Sequence, residues 1–260
     1  MNKIVVYTAI FGDYSALIEQ PKFENVDYVC FSDKPIESKS WKIIVVKDLP
    51  MGEDNTRNNR YYKILPHLQF ADYEYSIYID GNFLLKKNPQ LLIDNFLDDN
   101  YSMACFDHNQ TTLDKRNCVY KEYEAILELG NKTGNFKDNL ETMKNYIDFL
   151  KSENYPENYG LIKGSVLVRK HHDIALIKVM ENWWYFVKNH SRRDQLSFNY
   201  VAWKNDFKYN TIPGDIRRKN KYVYYLGKHK KDFNFGLLKY KLKKIFGFEP
   251  SQECISRLTH

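Results

Sequence analysis

A chain of 260 residues can bury a full core but leaves no room for two ordinary enzyme domains and a linker, so one catalytic-sized domain with a tail is expected. Its 43% hydrophobic and 28% charged residues exclude disordered, collagen-like and membrane-spanning classes, and the 16% aromatic share is high through Tyr and Phe. The net charge of +6 is uneven: between Lys204 and Lys244 thirteen Lys and Arg face three Asp and Glu, leaving the rest of the chain mildly acidic.

In chain order, Lys3 to Ile10 reads as a first strand, followed by strands at Tyr28 to Ser32 and Trp41 to Val46. Arg57 to Leu65 has helical spacing and stops before Pro66. A strand at Tyr75 to Ile79 precedes a helix over Gln90 to Phe96, with Asn88 as its cap and Pro89 at its first position. Met103 to Phe106 and Leu161 to Arg169 read as strands; Asn135 to Glu153, Ile174 to Lys188 and Arg193 to Trp203 read as helices. This alternation predicts an α/β fold, a mostly parallel mixed sheet flanked by helices.

No repeat or low-complexity linker interrupts the pattern, so a catalytic domain over 1–232 and a basic tail over 233–260 are expected. In the tail, Leu237, Leu238, Leu242, Ile245 and Phe246 share a helical arc with Lys239, Lys243 and Lys244 mostly elsewhere, the pattern of a basic amphipathic helix. Such a helix lies on an anionic membrane surface or packs on its own domain. No apolar run is long enough to span a bilayer, and Met1-Asn2-Lys3 leads straight into strand sequence. A cytoplasmic chain is therefore expected, peripheral at the inner membrane face if the tail binds lipid. Cys30, Cys105, Cys118 and Cys254 have no C-x-x-C spacing and read as reduced, structural thiols.

The segment Tyr75 to Asn82 carries the most chemistry. An apolar strand ends abruptly in Asp80, Gly81 and Asn82, and in open α/β sheets ligands gather beyond the carboxyl ends of strands. A hard divalent cation takes oxygen ligands and keeps positions open for substrate phosphates; Asp80 and Asn82 can supply two oxygens, and Gly81 would let the backbone approach a diphosphate. The same residues also make a plain turn. Arg57, Arg60 and Lys63 lie at i, i+3 and i+6, so the two arginines share a helix face while Lys63 drifts from it; the three bind donor phosphates or sugar, or are simply solvated. His108 closes a strand, and Arg116, Tyr120 and Glu122 follow in a polar loop entering a helix; Arg116 can grip a carboxylate or phosphate through two parallel hydrogen bonds as an acceptor or donor anchor, and the group is a candidate acceptor site. Asp194 opens a helix, either as a favourable N-terminal charge or as the base that takes the acceptor proton.

Tyr78-Ile79-Asp80-Gly81-Asn82 resembles the D-x-D motif of GT-A glycosyltransferases, with Asn in place of the second Asp. Together with Tyr7 to Tyr14, Phe31-Ser32-Asp33, Arg57 to Lys63, His108 with Arg116 to Glu122, and Arg193 to Phe198, it is similar in order and spacing to the TOD1/MUCI70-type family, over roughly residues 4–230. The resemblance implies a GT-A-like, Rossmann-like fold, a nucleotide-sugar donor of the UDP-sugar kind, a glycan or lipid-linked envelope polysaccharide acceptor, and Mn²⁺ or Mg²⁺ as cofactor. It implies that main-chain atoms near Thr8, Ala9 and Phe11 face base and ribose. Asp33 would accept a hydrogen bond from uracil or ribose, unless it only caps the turn before Pro35, and Asp194 would lie beside the reacting sugar.

Tyr225 to Lys231 resembles the late His and Lys that such enzymes return to the metal and diphosphate. His229 is then a third metal ligand beside Asp80 and Asn82, and Lys228 or Lys230 offsets leaving-group charge. Two other classes remain. A nucleic-acid-binding module could use the basic region and aromatics, but no binding motif is present and no nucleic acid partner is expected. A sugar nucleotidyltransferase would need a glycine-rich, basic loop after the first strand, which is missing.

Overall fold

The computed structural model describes residues 4–229 and 232–246. Strand β1, Ile4–Ile10, is buried along its whole length because a core lies on each of its faces. Val5, Tyr7 and Ala9 project to one side, Ile4, Val6 and Ile10 to the other. Strands β2, Val26–Ser32, and β4, Tyr75–Ile79, flank it in parallel, and β3, Lys42–Val45, extends the sheet beyond β2. On the other side β7, Ile162–Arg169, runs antiparallel to β4 and to β6, Met103–Asp107, with β8, Asn210–Ile212, parallel to β6 at the edge. The result is a seven-stranded sheet of order β3-β2-β1-β4-β7-β6-β8. A separate ribbon pairs β5, Phe83–Leu85, with β9, Val223–Tyr225.

Helices α1 (Asn55–Ile64), α3 (Val119–Thr133), α4 (Leu140–Ser152), α5 (Ile174–Asn189) and α6 (Asp194–Lys204) bury their apolar faces against the Tyr7 side of the sheet. Helix α2 (Gln90–Phe96) covers the opposite side with Trp41 and Tyr222. Side chains close the orphan amides at several N-termini: Asp54 accepts from Arg57 N, Asn139 from Thr142 N and Asp173 from Leu176 N. The expected α/β fold, mostly parallel with flanking helices, is the observed one.

Among the boundaries that differ from the sequence reading, two have a visible cause. The helix expected from Asn135 starts only at Leu140, because Gly134 at φ +68° ends α3 in the left-handed region and Asp138 turns its carboxylate to Ser191 Oγ (2.7 Å) and Arg192 N (2.8 Å). Pro89 occupies the cap position itself, while the Asn88 side chain accepts from Gln90 N at 2.9 Å.

Strands β6 and β7 lose register between Cys105, which faces Leu167, and Phe106, which faces Lys163. The residues of β7 between these partners bulge away from β6, a distortion that re-aims side chains. Helix α7, Asn234–Ile245, is seated through Phe233, Leu237 and Tyr240 on Ile18, Leu84, Tyr224 and Leu226. Among the described residues no helix is long and apolar enough to cross a membrane. Cys30, Cys105 and Cys118 are free and buried, and Cys254 lies outside the described residues.

Candidate active site

The ends of β1 and β4 open into a cleft of about 430 Å³ lined by Ala9, Phe11, Asp80 and Gly81 on the sheet side. Asp80 begins a tight turn closed by Phe83 N on Asp80 O at 3.0 Å, and its own N–H donates to Ser165 O of the β7 bulge at 2.9 Å. Tyr78 Oη donates to Asp80 Oδ1 at 3.0 Å, which fixes the carboxylate's orientation. Gly81 does not have a positive φ, and a Cβ there would make ordinary contact with Ile10 at 3.4 Å. The surrounding protein therefore does not itself require glycine at this position.

Asn82 is 4% exposed and holds a neighbouring loop in place: its Nδ2 donates to Gly227 O at 2.7 Å and its carbonyl accepts from Leu226 N at 3.0 Å. That loop delivers His229 to the cleft, where its ring lies 4.6 Å from Tyr14. Burial pushes the His229 pKa down, with Asp80 opposing, so the imidazole is held neutral near pH 7. Asn82 Oδ1 and His229 Nδ1 are both buried without a hydrogen-bond partner. Buried polar atoms are rarely left unpaired, and a bound ion or water is one of the ordinary reasons when they are. Asp80 and His229 line the cleft, whereas Asn82 is not part of its lining; by chemistry alone the three would make an oxygen, oxygen and nitrogen donor set suited to a hard or borderline divalent cation. The set depends on Asn82, since no cluster of three His, Cys, Asp or Glu capable of holding a metal exists among the described residues.

The β7 bulge forms the cleft's second wall, presenting Lys163, Gly164 and Ser165. Against this bulge, Asp194 at the start of α6 is 3% exposed and paired to Lys63 Nζ at 2.5 Å and Arg60 Nε at 3.2 Å. Burial alone would raise the Asp194 pKa, but Arg60 and Lys63 outweigh it and hold the carboxyl well below its usual range. With Lys63 and Arg60 at its carboxylate oxygens, Asp194 is the counter-ion of both cations. Lys63 is itself fixed from behind: its carbonyl accepts from Tyr7 Oη at 2.8 Å and from the fully buried Arg169 at 2.9 Å.

Arg57 departs from the expectation that it shares a ligand-facing surface with Arg60. It turns to the end of α5, donating to Val187 O at 2.9 Å and His190 O at 2.7 Å, and pairs with Asp54 at 2.6 Å. The terminal carbonyls of a helix attract a cation, and these have taken this one. Thr8 is fully buried in β1 rather than facing the cleft. Asp33 borders an adjoining cavity of about 310 Å³ that shares Ile10 and Ser15 with the main cleft. There Asp33 Oδ2 accepts from Gly12 N at 3.1 Å, and its Oδ1 is buried without a partner.

The residues expected to bind an acceptor sort into two groups. His108, Arg116 and Glu122 meet in one buried polar cluster: Arg116 Nε donates to Glu122 Oε2 at 2.7 Å, and His108 Nε2 lies 3.4 Å from Lys163 Nζ. Burial and then Lys163 push the His108 pKa down to about 3, so the ring is neutral. His108 and Glu122 are 1% and 4% exposed, too buried to touch an acceptor directly, and they reach the cleft only through Lys163 and Arg193. Tyr120 lies outside the cleft, donating to Tyr155 O at 2.8 Å. Lys228 is exposed and off the cleft wall, and Lys230 lies outside the described residues.

Lys163, Arg193 and Phe136, all in the cleft lining, were not singled out from sequence. Lys163-Gly164 inside an apolar strand run was a readable sign of a bulge. Phe136 is placed by Gly130, where a Cβ would overlap its ring, and that contact has no local signature.

Comparison with known proteins gives the family: residues 1–219 match the TOD1/MUCI70, glycosyltransferase-like domain, and the chain belongs to that family. "Probable hexosyltransferase MUCI70" of Arabidopsis thaliana is 27% identical over 226 residues, which cover 76% of this chain and 37% of that protein. The chain thus spans little more than a third of that relative's length. Similar solved structures include the WbbM bifunctional glycosyltransferase, with 12% identity, a TM-score of 0.48 and coverage of 82% of this chain and 38% of that one. Mouse xyloside xylosyltransferase 1 has 12% identity and a TM-score of 0.43, covering 81% of this chain and 84% of that one.

Proposed function

We propose that the chain transfers a hexosyl unit from a nucleoside-diphosphate sugar, of the UDP-sugar kind, to a hydroxyl of a glycan or lipid-linked acceptor. The observation that carries this reading is the Asp80 carboxylate and the buried, unpartnered His229 Nδ1 lining one cleft at a strand end, with the unpartnered Oδ1 of Asn82 two residues along the chain from Asp80. The nucleoside belongs in the Asp33 cavity, whose free Oδ1 suits a base or ribose donor, and the sugar in the connected cleft against the Lys63–Asp194–Arg60 group. Asp80, Asn82 and His229 would hold Mn²⁺ or Mg²⁺, whose chemistry when bound is to offset charge on the leaving diphosphate.

The chain's own residues do the positioning. Asp194 keeps Lys63 and Arg60 ordered and charged at the sugar subsite, where their N–H groups can bind hydroxyls or phosphate oxygens. Lys163 and Arg193 add positive charge along the acceptor side of the cleft. The test is a screen of UDP-, GDP- and CMP-sugars with and without Mn²⁺, reading donor hydrolysis and thermal shift. Asp80→Ala and His229→Ala should abolish turnover while circular dichroism stays unchanged; an Asp80→Ala protein that is folded and hydrolyses donor at the parental rate would overturn the assignment.

A further inference from the structure

Helix α7 has two apolar faces, and among the described residues the body covers only one. Leu237 and Tyr240 pack on the Leu226 cluster, whereas Phe235, Leu238, Leu242, Ile245 and Phe246 are 71%, 55%, 46%, 74% and 69% exposed. At the helical period these five fall within an arc of about 100°. Isolated exposed apolar residues are ordinary, but a continuous stripe of large ones marks a contact surface. Lys239 and Lys243 follow one edge of the stripe and Lys241 the other, Lys244 lies on the same helix, and α7 has no acidic residue.

We propose that this stripe seats α7 in the plane of an anionic lipid surface, with the apolar residues in the acyl boundary and the lysines at headgroup level. An apolar face edged by lysines matches both parts of such an interface. A second copy of the chain fits less well, because stacking the two stripes would set lysines against lysines. The helix is also coupled to the cleft. Gly236 lies so close to Leu226 that a Cβ would stand 3.2 Å from it, and Leu226 N is hydrogen-bonded to Asn82 O. Seating α7 on lipid therefore brings the turn that holds Asp80 and Asn82 near the surface. On the glycosyltransferase reading, the acceptor is then one presented at that surface.

The experiment is flotation of the full chain, without nucleotide sugar, on vesicles of phosphatidylcholine alone or with an equal part of phosphatidylglycerol. Binding is expected only on the anionic vesicles, falling with added salt. A Leu238→Gln, Leu242→Gln, Ile245→Gln variant should bind at least about tenfold more weakly, and Lys241→Gln about fivefold. Both should keep the parental melting temperature and, free of vesicles, the parental rate of donor hydrolysis. Equal binding to neutral vesicles, no binding at all, or parental binding by the triple variant would overturn the proposal. So would concentration-dependent self-association of the parent that the triple variant loses. Flotation reads the helix and hydrolysis reads the cleft, so failure of one reading is separable from failure of the other.

Discussion

Replacing Asp194 with Asn tests the electrostatic core of the cleft. The substitution keeps the shape and removes the charge that lies 2.5 Å from Lys63 and 3.2 Å from Arg60. Those partners have only 4% and 17% of their side-chain surface exposed, so water cannot replace the lost counter-ion. Removing one member of a buried ion pair typically costs about 3–5 kcal/mol, and the amide's residual hydrogen bonding places this case near the lower end. For a chain of this size about 3 kcal/mol corresponds to a fall in Tm of about 6–12 °C. Urea unfolding at pH 7, with Lys63→Met and the double variant completing a cycle, measures the coupling directly; about 2 kcal/mol or more is expected.

The sign of the pH dependence follows from the shift. Asp194 has its folded pKa lowered, so its contribution is fully present above the unfolded carboxyl value and is lost as pH falls toward the folded one. The gap between parent and variant should therefore narrow steadily below about pH 5. A gap under about 1 kcal/mol at pH 7, or one that widens in acid, would refute the counter-ion argument.

Other residues give sharper contrasts. Arg57→Ala removes the hydrogen bonds to Val187 O and His190 O and should destabilise by about 2 kcal/mol, while the thermal shift on adding nucleotide sugar stays parental. Gly130→Ala gains up to about 1 kcal/mol of helix propensity but drives a methyl into the Phe136 ring, at a cost of about 1–3 kcal/mol. Net destabilisation by differential scanning calorimetry is expected, and weaker donor binding should accompany it because Phe136 lines the cleft. His108, ordinarily titrating at 6.5, is pushed to about 3 in the folded chain, so it withdraws stability as pH drops below its unfolded value. His108→Gln should flatten the loss of stability between about pH 6 and 4 in urea titrations.

The fold was legible because its signals are local and repeated. Ile4 to Ile10 and Tyr75 to Ile79 are apolar runs of strand length, and each ends where the chain must turn from a buried sheet toward ligand. Asp80 could be placed at the cleft for a related reason: in such sheets the residues just beyond a strand's carboxyl end border the ligand crevice. What sequence could not give was the direction of long side chains. Arg57 and Arg60 are three residues apart on one helix, yet the first is captured by the carbonyl end of α5, 130 residues away in sequence, and the second by Asp194. No helical period encodes that choice, because tertiary partners decide it. Asp194 shows the same limit in chemical form. A carboxylate at a helix start can be a base only if its surroundings leave its proton affinity near that of the reaction, and the two cations that remove that affinity come from α1. Recognising the motif located the residue, but whether it accepts a proton or holds Lys63 in place depends on a packing contact between helices distant in sequence.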